Sequence, residues 1–292
     1  MKMNKLVLFI GMAFFSSAAT GQEYINSVNL VKQMEYRANA TSFDATKLEN
    51  MFKNFHLVQE KKKVKIKILP PSNKALSAEE VFEQRYPSVF MFVQIYKDKE
   101  GKRKINGAGT AFPISEDGYF VINNHMVDEL GLGVGDPTKV DKQVKLMMAN
   151  YAGELFHIDS VVTFAKEADI AILKVNLNGQ KIKPFALGID PKTGAEVYVL
   201  SHPRSLHYYF SSGKVARLTE FGDRGIFSRK MEITADFAAG SSGGPIIDNK
   251  GNIAGLVSLT KSFYYDQANQ KNLQMVIKET IPVSVIKALI SE

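Results

Sequence analysis

The chain has 292 residues, room for one or two domains with a sizeable core, and its 45% hydrophobic and 23% charged content excludes a fibrous or wholly disordered protein. The formal net charge of +7, of which Lys2 and Lys5 supply two, is a mild excess that favours anionic surfaces; no aromatic-interleaved basic stripe accompanies it, so no nucleic acid is expected as partner. There is no cysteine, which excludes a thiol nucleophile, a thiolate metal site and disulfide bridges.

Met1 to Lys5 is a short basic start, Leu6 to Phe15 is almost wholly apolar, and small residues follow to Gly21. The apolar run is half of the ~20 residues a membrane-spanning helix needs. Residues 1–21 therefore read as a cleaved export signal, with no membrane span after its removal and a periplasmic or extracellular destination. Residues 22 to 56 are predicted helical, with Leu48, Met51, Phe52 and Phe55 on one face. From Val64 the lysine-rich run alternates, predicting a half-solvated strand over Val64–Leu69 that Pro70 and Pro71 stop. Ser77 and Glu80 have the spacing of a capping box, which predicts a helix over Ser77–Arg85. Residues 22–80 thus form an N-terminal extension: a propeptide, a docking segment or a small subdomain.

From Pro87 the pattern changes. Short apolar or alternating segments predict strands at Val89–Tyr96, Gly109–Ile114, Tyr119–Asn123, Val144–Ala149, Ile170–Val175, Val197–Leu200, Lys214–Leu218, Ile233–Ala235, Pro245–Ile247, Ile253–Leu259 and Met275–Pro282. Turn signals such as Glu116-Asp117-Gly118 and Asp248-Asn249-Lys250-Gly251 separate them. So many short strands without long intervening helices predict an all-β barrel or sandwich, closed by a helix over Ser284–Ile290.

The segment Gly240-Ser241-Ser242-Gly243-Gly244-Pro245 carries the strongest chemical signal. A nucleophilic serine needs a tight turn that exposes its Oγ and aims backbone N–H groups at a developing oxyanion, and flanking glycines permit that bend. A plain Gly-Ser hairpin loop has the same composition. His125 follows the strand ending at Asn123, and Asp169 stands at the mouth of the apolar strand Ile170–Val175; either alone is an ordinary turn or edge residue. Together the order is His, Asp, Ser.

Four blocks now resemble a family: Gly107-Ala108-Gly109-Thr110-Ala111-Phe112, Gly118 to His125, Ala168-Asp169-Ile170-Ala171-Ile172-Leu173, and Gly240 to Pro245. They are similar to the successive blocks of trypsin-like (chymotrypsin-fold) serine peptidases, in the bacterial variant of HtrA/Deg and glutamyl-endopeptidase-like protease domains, over residues 81–292. The resemblance implies two six-stranded β-barrels with the site between them. His125 would be general base, Asp169 would orient it, Ser242 would attack, and the N–H groups of Gly240 and Ser242 would form the oxyanion hole. It implies protein or peptide substrates and no cofactor. Ser241 stands where digestive relatives carry an aspartate that receives a new N-terminal amine, so activity without amine-triggered switching is expected. The chain stops soon after Val283, so no PDZ-like segment is expected.

Candidate substrate-binding residues are Asp236, Ser258, Leu259, Thr260 and His202. Asp236 lies where relatives that cut after Lys or Arg keep a buried pocket carboxylate, although it could equally be structural; Thr260 replaces the glycine that keeps such a pocket open. His202, in Ser201-His202-Pro203, reads as a surface turn residue, with a cleft residue for acidic side chains as the alternative. No His-Glu-x-x-His segment exists, and no metal is inferred. The rival to a secreted endopeptidase is a catalytically silent binding or chaperone-like protein on the same fold.

Overall fold

The structure, a computed structural model, describes residues 24–40, 57–129 and 145–291. The expected signal, the helix face of Leu48, Met51, Phe52 and Phe55, and Val144 lie outside them. Within it the chain makes two closed six-stranded barrels. The first is built from β2 (Phe90–Lys97), β3 (Arg103–Pro113), β4 (Tyr119–Ile122), β5 (Lys145–Ala149), β6 (Leu155–Ala165) and β7 (Ile170–Val175), in the order β2-β3-β4-β7-β6-β5. The second contains β8 (Glu196–Ser201), β9 (Tyr209–Thr219), β10 (Lys230–Ile233), β11 (Pro245–Asp248), β12 (Ile253–Asp266) and β13 (Lys271–Pro282), in the order β10-β13-β12-β11-β8-β9. Every neighbouring pair within the barrels is antiparallel. Closure leaves no edge along most of each sheet.

Each barrel encloses its own apolar side chains. Phe90, Phe120 and Phe156 meet edge to face inside the first, with Phe90 and Phe120 centroids 4.9 Å apart. Val197, Val199, Ile233, Ile246 and Ala254 fill the second. A third cluster joins Phe112 and Ile114 to Leu200, Ile247 and Leu256, so the barrels share a core where they meet. At the β11–β12 hairpin, Gly251 has φ +76° and Asp248 Oδ1 accepts the N–H groups of Lys250 and Asn252, which is why that turn signal ends one strand and starts the next.

Three departures from the sequence reading are physical. No strand is expected over 155–165, yet β6 forms there: polar His157, Asp159 and Ser160 sit among its buried Phe156, Ile158 and Val161, and two register shifts interrupt the alternation. Strands β3, β9, β12 and β13 outrun their predicted spans because their extra residues are half-buried or exposed and mix polar with apolar side chains, with no sustained apolar run. The closing helix, α4 (Val283–Ala288), stops early and Ile290–Ser291 becomes a short strand, β14, parallel to β1 (Val64–Lys65).

The N-terminal segment is bound to both barrels. Helix α1 (Ser27–Ala40) buries Leu30, Met34 and Ala38 in the shared cluster. Helix α2 (Ala78–Arg85) has the capping box in full: Ser77 Oγ accepts from Glu80 N–H, and Glu80 Oε2 accepts from Ser77 N–H at 2.7 Å. Between them, Asn252 exchanges hydrogen bonds with the backbone of Ser72, and β1 pairs with β14.

Candidate active site

Asp169 sits at the start of β7 with φ +60°, a left-handed turn conformation that aspartate tolerates. This turn presents its carboxylate to the short helix α3 (Asn124–Glu129) that follows β4. Both carboxylate oxygens face His125 Nδ1, at 2.9 and 3.0 Å, and Oδ1 also accepts the His125 backbone N–H at 2.9 Å. Facing a carboxylate, Nδ1 keeps the proton and Nε2 keeps a lone pair. Ser258 Oγ, on β12 of the other barrel, donates to Asp169 Oδ2 at 3.4 Å.

Ser242, half-buried, lies in the loop before β11, and that loop is clamped to the same junction. Its carbonyl accepts Thr110 N–H at 2.8 Å, and the next N–H, of Gly243, is accepted by Asn123 Oδ1 at 2.6 Å. Asn123 is wholly buried, and its Nδ2 donates to the Asp169 carbonyl at 2.9 Å and to Asp169 Oδ2 at 3.1 Å. One amide therefore ties the Asp169 turn to the Ser242 loop. Glycine is required at 243: φ is +81° and a Cβ would fall 1.8 Å from the Thr110 carbonyl oxygen.

The backbone polarity of the loop is ordered. Ser241 N–H donates to Ala238 O, Gly243 N–H to Asn123, and Gly244 N–H to Ser241 O. Arg204 N–H holds the Ala239 carbonyl at 2.8 Å, and the Gly240 N–H across that trans peptide points the opposite way. Among the described residues, the N–H groups of Gly240 and Ser242 are the two in the run 240–244 that have no acceptor. Ser241 is wholly buried, its Oγ accepting from Ser201 Oγ at 2.9 Å, so a neutral hydroxyl pair occupies that place.

The substrate-pocket candidates fare differently. Asp236 is no buried carboxylate: its side chain is 78% exposed and pairs with Lys278 Nζ at 3.4 Å, because Lys278 is drawn there by the Phe237 carbonyl and ring. Ser258 is buried against Asp169, whereas Leu259 and Thr260 are exposed on β12. His202 is not on a surface turn. It is buried, its Nδ1 accepts Tyr208 N–H at 3.0 Å, and its ring meets Tyr208 edge to face. Burial above all, then the neighbouring His207, push its pKa down to about 3; the Phe90 carbonyl, which faces the ring without completing a hydrogen bond, opposes this only in part. The imidazole is neutral, and the residue's backbone carbonyl abuts the Ser242 loop, since a Cβ on Gly240 would lie 2.7 Å from the His202 carbonyl oxygen. It also lines, with Gly107, Gly109, Arg204, His207 and Gly240, a cavity of about 220 Å³.

Residues 109–256 match the trypsin-like peptidase domain family. The probable periplasmic serine endoprotease DegP-like protein of Brucella suis is 32% identical over 166 residues, which is 55% of this chain and 29% of that protein. Protease Do-like 5, chloroplastic, of Arabidopsis thaliana is 24% identical over 200 residues, 62% of this chain and 59% of that protein. The chain thus spans less than two thirds of the length of these relatives. Among solved structures, the HtrA-type protease AlgW with decapeptide superposes with a TM-score of 0.53 at 18% identity, covering 74% of this chain and 69% of that one, a likeness of fold. No helix among the described residues is long and apolar enough to cross a membrane. With the family domain spanning half of its length, the chain belongs to the trypsin-like peptidase domain family.

Proposed function

We propose that the protein is an exported serine endopeptidase that cleaves proteins or peptides through an acyl-enzyme. Ser242 Oγ attacks the scissile carbonyl, and His125 Nε2 takes its proton and later returns it to the leaving amine. Asp169 fixes the imidazole with Nδ1 protonated and stabilises the imidazolium that forms. The N–H groups of Gly240 and Ser242 donate to the oxyanion; removing one such donor from an enzyme typically costs about 2.7–4 kcal/mol of transition-state stabilisation. The acyl half of the substrate runs along Ser258–Thr260, and the described parts of the N-terminal extension, residues 24–40 and 57–80, are an integral part of the mature fold.

One observation carries this reading: the loop satisfies every other N–H in the run 240–244 and leaves those two free, beside a bonded His–Asp pair. Export is supported by the signal-like start of the sequence and by the periplasmic DegP-like relatives. The test is hydrolysis of unfolded casein by the purified full chain beside its Ser242→Ala variant. Cleavage by the parent and none by a folded variant is expected; equal cleavage by both refutes the assignment.

A further inference from the structure

The N-terminal helices close a cavity that none of the triad residues lines. It holds about 500 Å³ between α1, α2, the β5–β6 turn and the residues leading into β9, a volume within the range of small-molecule sites. Its walls are mostly aromatic: Tyr24, Phe82, Tyr86, Tyr151 and Tyr208 line it, together with the exposed Glu83.

The rings do not form a flat stack. Tyr151 and Tyr208 stand at 76° and 87° to Tyr86, with centroids 5.5 and 6.1 Å from it, and Phe82 lies 15° from parallel to Tyr86 at 5.4 Å. Walls at right angles let one cation meet more than one ring, and the negative face of an aromatic ring attracts positive charge. The distribution of charge favours a cation too. The chain carries a net +7, yet among the described residues no lysine, arginine or histidine lines this cavity. Glu83, its only carboxylate, forms no ion pair among the described residues. An anion would meet ring faces and a carboxylate, with no cation to hold it.

Tyr208 adds a hydrogen-bonding group. The residue is 4% exposed, and its hydroxyl is buried without a partner among the described residues. A buried hydroxyl left unbonded is costly, and a ligand that bonds it removes the cost. Burial first, then the nearby Tyr86 and Tyr151 phenols, push its pKa up, so it stays neutral with lone pairs to offer. Its position is fixed: φ is +59°, which a bulky residue rarely adopts, and its N–H is held by His202 Nδ1 at 3.0 Å. Tyr151, 47% exposed in a turn, is the ring that can swing to let a ligand nitrogen reach the hydroxyl.

We propose that this cavity binds an organic cation bearing N–H donors, a guanidinium or an alkylammonium group, held against Tyr86 and Tyr151 beside Glu83 with one N–H donated to Tyr208 Oη. A guanidinium suits it best, being planar, weakly hydrated and able to stack on rings. The site does not depend on the peptidase reading.

The test is calorimetric titration of the full chain with butylguanidinium and with butylurea, its neutral isostere. Saturable one-to-one binding of the guanidinium, about tenfold or more tighter than the urea, is expected. Tyr151→Leu and Glu83→Gln, both at exposed positions, should each weaken it about two- to fivefold. Tyr208→Phe should weaken it about tenfold while leaving butyltrimethylammonium, which has no N–H, unaffected. Comparable affinity for the urea overturns the inference, as does the absence of saturable binding. Guanidinium binding that neither Tyr151→Leu nor Tyr208→Phe weakens lies elsewhere and also overturns it. A blocked arginine peptide, titrated with butylguanidinium into the Ser242→Ala chain so that none is cleaved, then names the source. Competition makes the ligand a partner's basic side chain, and its absence makes it a free amine or guanidine; either result supports the site.

Discussion

His202 gives a measurable link between burial and stability. Its imidazole has an ordinary value of 6.5 when unfolded and is pushed down to about 3 in the fold, because the folded site strips away water and sets His207 beside it. Between these values the unfolded chain binds a proton that the folded chain refuses. Stability is therefore full above pH ~6.5 and falls as the pH drops towards ~3. From about pH 7 to about pH 5 the shift of roughly 1.5 units at 1.36 kcal/mol each removes about 2 kcal/mol. That is a large share of the 5–15 kcal/mol typical of a domain. The His202→Asn variant keeps an acceptor for Tyr208 N–H and has nothing to titrate. Urea unfolding of both proteins at the two pH values isolates the effect, since other groups cancel in the difference. The parent should lose about 2 kcal/mol more than the variant. Equal losses would refute the burial of a neutral imidazole at this place.

Asn123→Asp puts a carboxylate about 3 Å from Asp169 Oδ2, where two acids share one proton and facing His125 is the other titrating group. Its kcat/KM should gain an alkaline descending limb where the parent stays level; superimposable pH profiles would contradict this. Gly243→Ala must relieve both a left-handed φ and a Cβ overlapping the Thr110 carbonyl, so a lowered unfolding midpoint and loss of hydrolysis are expected, and a native-like variant argues against the clamp. Because Lys278 neutralises the exposed Asp236, a peptide-library profile should show no enrichment of Lys or Arg immediately before the cleaved bond; clear enrichment would overturn that reading.

Much of the site was legible because its chemistry demands particular residues in particular places. Glycines around Ser242, an aspartate at a strand mouth and a histidine after a strand each leave a local mark, and the capping box of α2 does the same for the extension. What stayed hidden depends on partners remote in the chain. The contact of Asn123 with Gly243 spans 120 residues, so nothing near Asn123 announces it. His202 looked like a turn residue because only the fold wraps Tyr208 and His207 around it. Asp236 stood at the expected place, yet its exposure and its pairing are decided by Lys278 on another strand. The strand β6 and the outer half of the β12–β13 hairpin escaped because polar residues and register shifts break the apolar pattern that marks a strand.

The central claim is that Ser242 is an activated nucleophile. Reaction of the folded full chain with a fluorescent organophosphonate, followed by mass mapping of the adduct, tests it most directly. Stoichiometric labelling at Ser242, abolished in Ser242→Ala and strongly slowed in His125→Ala, is the expected result. A well-folded parent that takes no label, or takes it equally well without His125, would contradict the account.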